Sequence, residues 1–500
     1  MIIDRPAITL AAMEALAREL SLWAGPGLAI HLSGDLGAGK SAFARAFIRA
    51  LARDDKEFDI PSPSFSLIQA YDATRVPVAH VDLYRIKYAA EVTELGLEEF
   101  LPKYLTIIEW PENLYENIST DCMKISFSGS GDTRDLQLEA TGKWIEILRR
   151  NETINGFVRQ SPMAGGIRYF FEGDASARRY ERIETPASMM LLMDMPSRPD
   201  GPVVRNGKSY SAIAHLAEGI SAVVAINDYL FGLDFSAPAI YDVDIKQGLA
   251  LIEPLGINVF GKMIARGDDM GEPMKAAVEI LADMAVRDWP TAVPVRGSSS
   301  YKLARYDLDA MLIEVDLLPS WFWPLHTKSE PGEDVKTEFS RIWQSLLADI
   351  IPNKPVWTLR DYHSPNLLWM PERKGLRRVG LIDTQDCVLG HPAYDLVSML
   401  QDARVDIDFK QADELYDYYC GLRSATGRFE ARNFSRAFAI LGAQRATKIL
   451  GIFARLSKRD GKHIYLNHIP RVSRYLKRNL AHPDLAILKN WYDRNLQLKG

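Results

Sequence analysis

The sequence predicts two domains, an α/β domain over residues 1–150 followed by a mixed α+β domain over 151–500. Three observations carry this. Five hundred residues exceed what one ordinary core holds. The first 110 residues alternate short apolar runs with helical patterns, as a sheet covered by helices does. Beyond residue 150, strand-like runs continue to about 260 and helical periodicity then dominates, as over Phe434 to Leu456.

In order, Gly27 to Ser33 reads as a short buried strand and Ser41 to Ala52 as the helix after it. Val78 to Tyr84 and Tyr104 to Trp110 are further strands. The polar run Ser128 to Thr133 is a turn, and Leu136 to Ala140 alternates as a strand. The junction is expected near Arg150 to Phe157, where strand patterning stops and polar residues take over.

Composition narrows the class. A 47% hydrophobic and 25% charged chain is ordinary for a soluble globular protein. No stretch reaches the roughly 20 uninterrupted apolar residues of a membrane span, and the N-terminus lacks a signal-peptide pattern. Cys122, Cys387 and Cys420 are odd in number and far apart, which suggests neither a disulfide framework nor a zinc site. A cytoplasmic protein with no membrane partner is expected. The net charge of −5 conceals an asymmetry: residues 421–500 hold 17 Lys or Arg against 4 Asp or Glu. Such a block attracts phosphates, sugar acids or nucleic acid, or is a solvated helical surface.

Gly34-Asp35-Leu36-Gly37-Ala38-Gly39-Lys40-Ser41 fits GxxxxGK[ST] and lies between a predicted strand and helix. Gly34, Gly37 and Gly39 let backbone N–H groups turn inward around phosphates, and the helix start adds a favourable dipole. Lys40 would reach the β- and γ-phosphates of ATP, and the Ser41 hydroxyl would ligate Mg²⁺. Two carboxylates end later strands. Asp82 is a candidate Mg²⁺ ligand, while Glu109 is a candidate to polarise the attacking water or complete the metal shell. Trp110, beside Glu109, is a candidate nucleotide contact.

A second constellation lies far downstream. Arg360-Asp361-Tyr362-His363-Ser364-Pro365-Asn366 places an Asp five residues before an Asn, the spacing of a kinase catalytic loop. Asp361 would accept the substrate hydroxyl proton, and Asn366 would hold Mg²⁺. Seventeen residues on, the apolar run ending at Asp383 suits the second metal-holding position. Upstream, Gly173 to Tyr180 lies between two apparent strands, so Gly173, Ser176 and Arg178 are candidates to cover the nucleotide phosphates. Glu253, in Leu251 to Gly256, is expected where adenine hydrogen-bonds at the connection between lobes.

GDLGAGKS, Ser62 to Leu67, HVDLYR (80–85), Glu94-Leu95-Gly96-Leu97 and IEWPE (108–112), in this order, resemble the TsaE family over about residues 8–130. The resemblance implies an α/β P-loop NTPase domain whose ATP hydrolysis supports threonylcarbamoyladenosine synthesis on tRNA. It also implies partner subunits of that synthesis complex and, through them, indirect tRNA contact. Ser41, Ser64 and Ser66 stand where the family usually has Thr, which keeps the hydroxyl without the stiffening β-branch.

GDASARRY, LLMDMP (191–196), LIEPLG, RDYHSPN, LIDTQD, GHPAYDL (390–396) and the segment Gln444 to Leu456 resemble aminoglycoside-phosphotransferase-like kinases. The likeness spans about 155–490 and is nearest the anomeric kinases of N-acetylmuramate and N-acetylglucosamine. It implies a bilobal, protein-kinase-like α+β domain, with an N-lobe over about 151–256 and a C-lobe over about 257–500. The implied activity is ATP-dependent phosphorylation of an amino sugar for cell-wall recycling. Departures are Leu359 where many kinases carry His, Met193 on the strand expected to carry the phosphate-gripping Lys, and Pro365 where the sugar kinases usually have Arg. Arg178 or Arg179 would take the place of that Lys. Two alternatives share the sequence features: a non-catalytic kinase-like scaffold attached to the ATPase, and an aminoglycoside kinase. The second calls for a carboxylate-lined pocket, which the basic C-terminal block opposes.

Overall fold

The computed structural model describes residues 1–500 apart from 54, 56, 115–118, 173–177, 198, 428 and 498–500. The chain divides into two compact units, Met1–Leu192 and Met193–Gly500.

In the first unit β1 (Ile2–Thr9) and α1 (Leu10–Ser21) lead into β2 (Ala29–Ser33), the central strand. There follow α2 (Lys40–Leu51), β3 (Ile68–Tyr71), β4 (Val78–Asp82), α3 (Ala89–Glu94), α4 (Leu97–Phe100) and β5 (Leu105–Glu109). Two antiparallel strands, β6 (Cys122–Ser128) and β7 (Thr133–Ala140), precede α5 (Lys143–Gln160). The seven strands lie in the order β1-β7-β6-β2-β5-β4-β3. β2 pairs in parallel with both β5 and β6, and β4 pairs in parallel with β5. Every residue of β2, β4 and β5 is buried, as expected of parallel strands covered on both faces. Phe43, Phe47, Ile48 and Leu51 of α2 pack with Leu20 of α1 and Trp144 and Leu148 of α5 in one core.

The polar run 150–157 is the middle of α5 rather than a break in regular structure. Leu148, Asn151, Ile154 and Val158 fall at helical spacing and share a buried face, three of them apolar and Asn151 hydrogen-bonded. β8 (Ile167–Phe171), β9 (Arg179–Glu184) and β10 (Met189–Asp194) follow. Within the first unit, Arg168 of β8 is buried and donates to Glu181, Asn151 and Asn155. Arg179 pairs with Glu181 at 2.6 Å and stacks on Trp23 at 3.4 Å.

In the first unit β8 pairs antiparallel with β9, and in the second unit Ile240–Asp244 pairs antiparallel with Leu249–Ile252. In the second unit helices dominate, interrupted by short hairpins. Val356–Thr358 pairs with Val388–Gly390, and Leu367–Trp369 pairs with Val379–Leu381. The helix Ala431–Asp460 runs through this unit. Among the described residues it is the one helix long and apolar enough to cross a bilayer, yet 89% of that stretch is buried inside the structure.

Candidate active sites

The phosphate loop leaves the sheet from the centre. Gly34 has φ 142°, and a Cβ there would lie 2.6 Å from the Phe127 carbonyl oxygen, so only glycine fits beside β6. Gly37 (φ 77°) and Gly39 (φ 111°) also occupy left-handed conformations, and Gly39 caps α2. Lys40 is buried, and its Nζ donates to the carbonyls of Gly34 at 2.6 Å and Asp35 at 2.9 Å. The same ammonium lies 3.8 Å from the centre of the Trp110 ring, which also meets Tyr84 at 5.0 Å. Burial lowers the Lys40 pKa, against the pull of Glu109, Glu112, Asp82 and Asp35.

Parallel register brings the carboxylates together, because Leu32 and Asp82 both stand opposite Glu109. Ser41 Oγ donates to Glu109 Oε2 at 2.7 Å, and Ser64 Oγ donates to Asp82 Oδ2 at 2.6 Å. Asp82 Oδ1 accepts the Tyr84 N–H at 3.0 Å. His80 was not singled out from the sequence: its Nε2 lies 2.9 Å from Glu109 Oε1, with both side chains buried. A signal existed, since residues two apart on a strand share a face and so align His80 with Asp82. These hard oxygen donors suit Mg²⁺, which takes one or two carboxylates plus phosphate oxygens. Among the described residues no cluster of three or more His, Cys, Asp or Glu could hold a metal by itself.

In the second unit, Leu367 pairs with Leu381, and the Ile382 N–H donates to the Asn366 carbonyl at 3.1 Å. The hairpin end therefore juxtaposes Asn366 and Asp383, seventeen residues apart in sequence. Asn366 Nδ2 donates to the Asp361 carbonyl at 3.0 Å, which leaves its Oδ1 to face a cation. Asp383 has φ 63° and accepts from Gln385 at 3.0 Å. Burial alone would raise the Asp361 carboxyl, but His363, Arg445, Lys448 and Arg360 outweigh it and hold the group below its ordinary value.

Acids from elsewhere hold this loop, none of them singled out from the sequence. Asp395 accepts the N–H groups of Leu359 at 2.6 Å and Arg360 at 2.8 Å; Asp402 accepts that of Ser364 at 2.8 Å. Beneath them Glu314 is fully buried and accepts from Arg360, Tyr306, Lys448 (2.8 Å) and Gln444 (2.9 Å). No local spacing signals these residues; the motif GHPAYDL contains Asp395 but carries no sign of its target.

The remaining candidates are less well joined to either site. Gly173 and Ser176 lie outside the described residues, and Arg178 is half-buried directly before β9. Arg179 is committed to Glu181 and Trp23. The Glu253 carboxylate pairs with Arg373 at 2.5 Å and accepts from Ala239, whose carbonyl also takes the Glu253 N–H. Met193 is buried. Pro365 does not distort the loop, because it sits in the first turn of a short 3₁₀ helix, where its missing N–H is not needed.

Residues 169–432 match the model of the phosphotransferase enzyme family, and residues 8–136 that of the threonylcarbamoyl adenosine biosynthesis protein TsaE. The chain is 36% identical over 332 residues to an N-acetylmuramate/N-acetylglucosamine kinase of Caulobacter vibrioides, covering 64% of this chain and 90% of that protein. It is 37% identical over 111 residues to the tRNA threonylcarbamoyladenosine biosynthesis protein TsaE of Rickettsia bellii, covering 22% of this chain and 76% of that one. The chain belongs to both families. A second N-acetylmuramate/N-acetylglucosamine kinase, from Pseudomonas putida, is 27% identical over 71% of this chain and 95% of its own length. The Lys40–Glu109–Asp82 site lies inside the TsaE match, and Asp361, Asn366 and Asp383 lie inside the phosphotransferase match. The TsaE-family site keeps its hydroxyl contacts with Ser in place of Thr, since Ser41 and Ser64 both reach a carboxylate.

Proposed function

We propose that the chain carries two ATP-dependent activities. The TsaE-family segment hydrolyses Mg-ATP in support of threonylcarbamoyladenosine synthesis on tRNA, acting with the other subunits of that synthesis. The phosphotransferase-family segment transfers the γ-phosphoryl group of ATP to the anomeric hydroxyl of an amino sugar, N-acetylmuramate or N-acetylglucosamine, in cell-wall recycling. We place the boundary near residue 150, inside α5 and between the two matched segments. A cytoplasmic setting, where ATP is supplied, is part of the proposal.

The observation that carries the kinase reading is an anionic Asp361 on a loop whose Asn366 stands beside Asp383. Asp361 orients the sugar hydroxyl and accepts its proton as the oxygen attacks phosphorus. Asn366 Oδ1 and the Asp383 carboxylate are the groups to hold Mg²⁺, which supplies neutralisation of phosphate charge when bound. The buried cations Arg360, Arg445 and Lys448 favour the anionic form of Asp361 that its role as proton acceptor needs. In the TsaE-family segment, Gly34, Gly37, Gly39 and Lys40 cradle the phosphates, with Ser41 and Asp82 toward the metal. Glu109 orients water and is itself held by Ser41 and His80. Trp110 lies where Lys40 would meet nucleotide.

The test is incubation of the full chain and its Asp361→Asn variant with Mg-ATP and N-acetylmuramate, N-acetylglucosamine or kanamycin, with products identified by mass spectrometry. A sugar 1-phosphate formed by the unaltered chain and lost in Asp361→Asn is expected. Absence of product from every acceptor would overturn the kinase assignment.

A further inference from the structure

The catalytic loop turns on a residue in a costly conformation. Arg360 has φ 67°, a left-handed backbone that L residues adopt only where the surroundings over-determine it. Its N–H is fixed by Asp395 Oδ1 at 2.8 Å, while its side chain reaches Glu314 and the Ala214 carbonyl. The carbonyl side of the same residue is held from two helices. Ser398 Oγ donates to it at 3.2 Å, and Arg445 Nη1, from the long helix, donates at 3.0 Å. That carbonyl belongs to the peptide entering Asp361, so rotation of the peptide swings the carboxylate away from the acceptor.

We propose that Arg445 is a positioning residue for phosphoryl transfer, locking the Arg360–Asp361 peptide so that the Asp361 carboxylate faces the acceptor hydroxyl. The proposal rests on the assignment of Asp361 as the base. Arg445 is 5% exposed, and its Nη1 takes the Arg360 carbonyl and, at 3.4 Å, the Tyr394 hydroxyl. Its Nε is buried and has no hydrogen-bond partner among the described residues. A buried guanidinium ordinarily takes a carboxylate through its fork. This one spends its charged donor on a single backbone oxygen next to the base, and it feels the charges of Asp361, Asp402 and Asp395 without a salt bridge to any of them among the described residues. Beyond the charge it lends to Asp361, its direct bond is to the peptide, so its role is positional rather than that of half an ion pair. Lys448, one turn on, is engaged by Glu314 and leaves this carbonyl to Arg445.

The experiment uses the full chain with Arg445→Met, Arg445→Lys, Ser398→Ala and the double variant Arg445→Met/Ser398→Ala. Turnover of N-acetylmuramate and N-acetylglucosamine is measured with Mg-ATP. Hydrogen exchange over residues 359–366 is followed by mass spectrometry, and the folded fraction by circular dichroism. Arg445→Met should lower kcat by about 10–100-fold, the scale of a roughly 1 Å misplacement, with KM for ATP within about twofold. Arg445→Lys should recover part of the loss, and exchange at 359–366 should rise in Arg445→Met while the rest of the unit stays protected. Ser398→Ala acts on the same carbonyl with a smaller change of volume, so the double variant should show non-additive loss. Unchanged kcat and unchanged exchange in folded Arg445→Met would overturn the proposal, as would strictly additive effects. Should the unaltered chain turn over neither sugar, the base assignment fails on its own, and loop exchange still decides whether Arg445 locks the peptide.

Discussion

Glu314→Gln removes one negative charge from a site where a single carboxylate serves two buried cations, Arg360 and Lys448. The side chain keeps its size and one acceptor oxygen, so packing changes little and the charge is what is tested. Burial pushes the Glu314 carboxyl up, but Lys448 and Arg360 win and hold it at about 2 against an ordinary 4.5. That difference is worth about 3 kcal/mol by linkage. Removing one partner of a buried ion pair costs about 3–5 kcal/mol, in agreement. An unfolding entropy of about 2.1 cal/mol/K per residue over roughly 300 residues converts the loss to a fall of about 5–8 °C in the Tm of the second unit. The assay is thermal unfolding followed by circular dichroism at pH 7. Because the folded pKa is depressed, the stabilisation is present above about 4.5 and lost as pH falls from there toward 2; the variant should lack that acid step. A Tm within about 1 °C of the unaltered chain, with the acid step intact, would refute the claim that Glu314 neutralises this cluster.

Lys40→Ala should abolish ATP binding by the first unit, read by calorimetry with a non-hydrolysable analogue, while sugar phosphorylation at Asp361 persists; joint loss of both would contradict two separate sites. Gly34→Ala forces a Cβ to 2.6 Å from the Phe127 carbonyl at a left-handed φ, so the first unit should lose about 1–3 kcal/mol in urea unfolding along with nucleotide affinity. Burial lowers His31 and His391 from 6.5 to about 4. They stay neutral in the folded state while the unfolded chain takes up protons, so stability should fall as pH drops from about 6.5 to 4, by up to about 3 kcal/mol for each. Urea titrations at pH 7 and 4.5 with equal midpoints would exclude this.

Much of the first unit was legible because its signals are local. Strand 27–33, helix 41–52 and strands 78–84 and 104–110 fall within a few residues of β2, α2, β4 and β5. The catalytic loop was legible in the spacing of Asp361 and Asn366 taken together with the apolar run ending at Asp383. The short hairpins over 356–390 were less visible, since three-residue strands carry too little periodicity to stand out. The polar run at 150–157 resembled a break because its buried face is defined by four residues spread over eleven.

The sequence by itself determined the chemistry-bearing steps: glycines that permit a phosphate loop, Lys40 and Ser41 after them, and a base five residues before a metal-facing amide. Each needs only neighbours along the chain. Tertiary structure alone decided that His80 meets Glu109, that Arg179 meets Trp23 and Glu181, and that Asp395, Ser398 and Arg445 converge on Arg360. Arg445 lies 85 residues from the carbonyl it holds. Such a contact follows from how helices pack over a loop, and packing depends on the shapes of all the elements at once, which no local pattern of residues records.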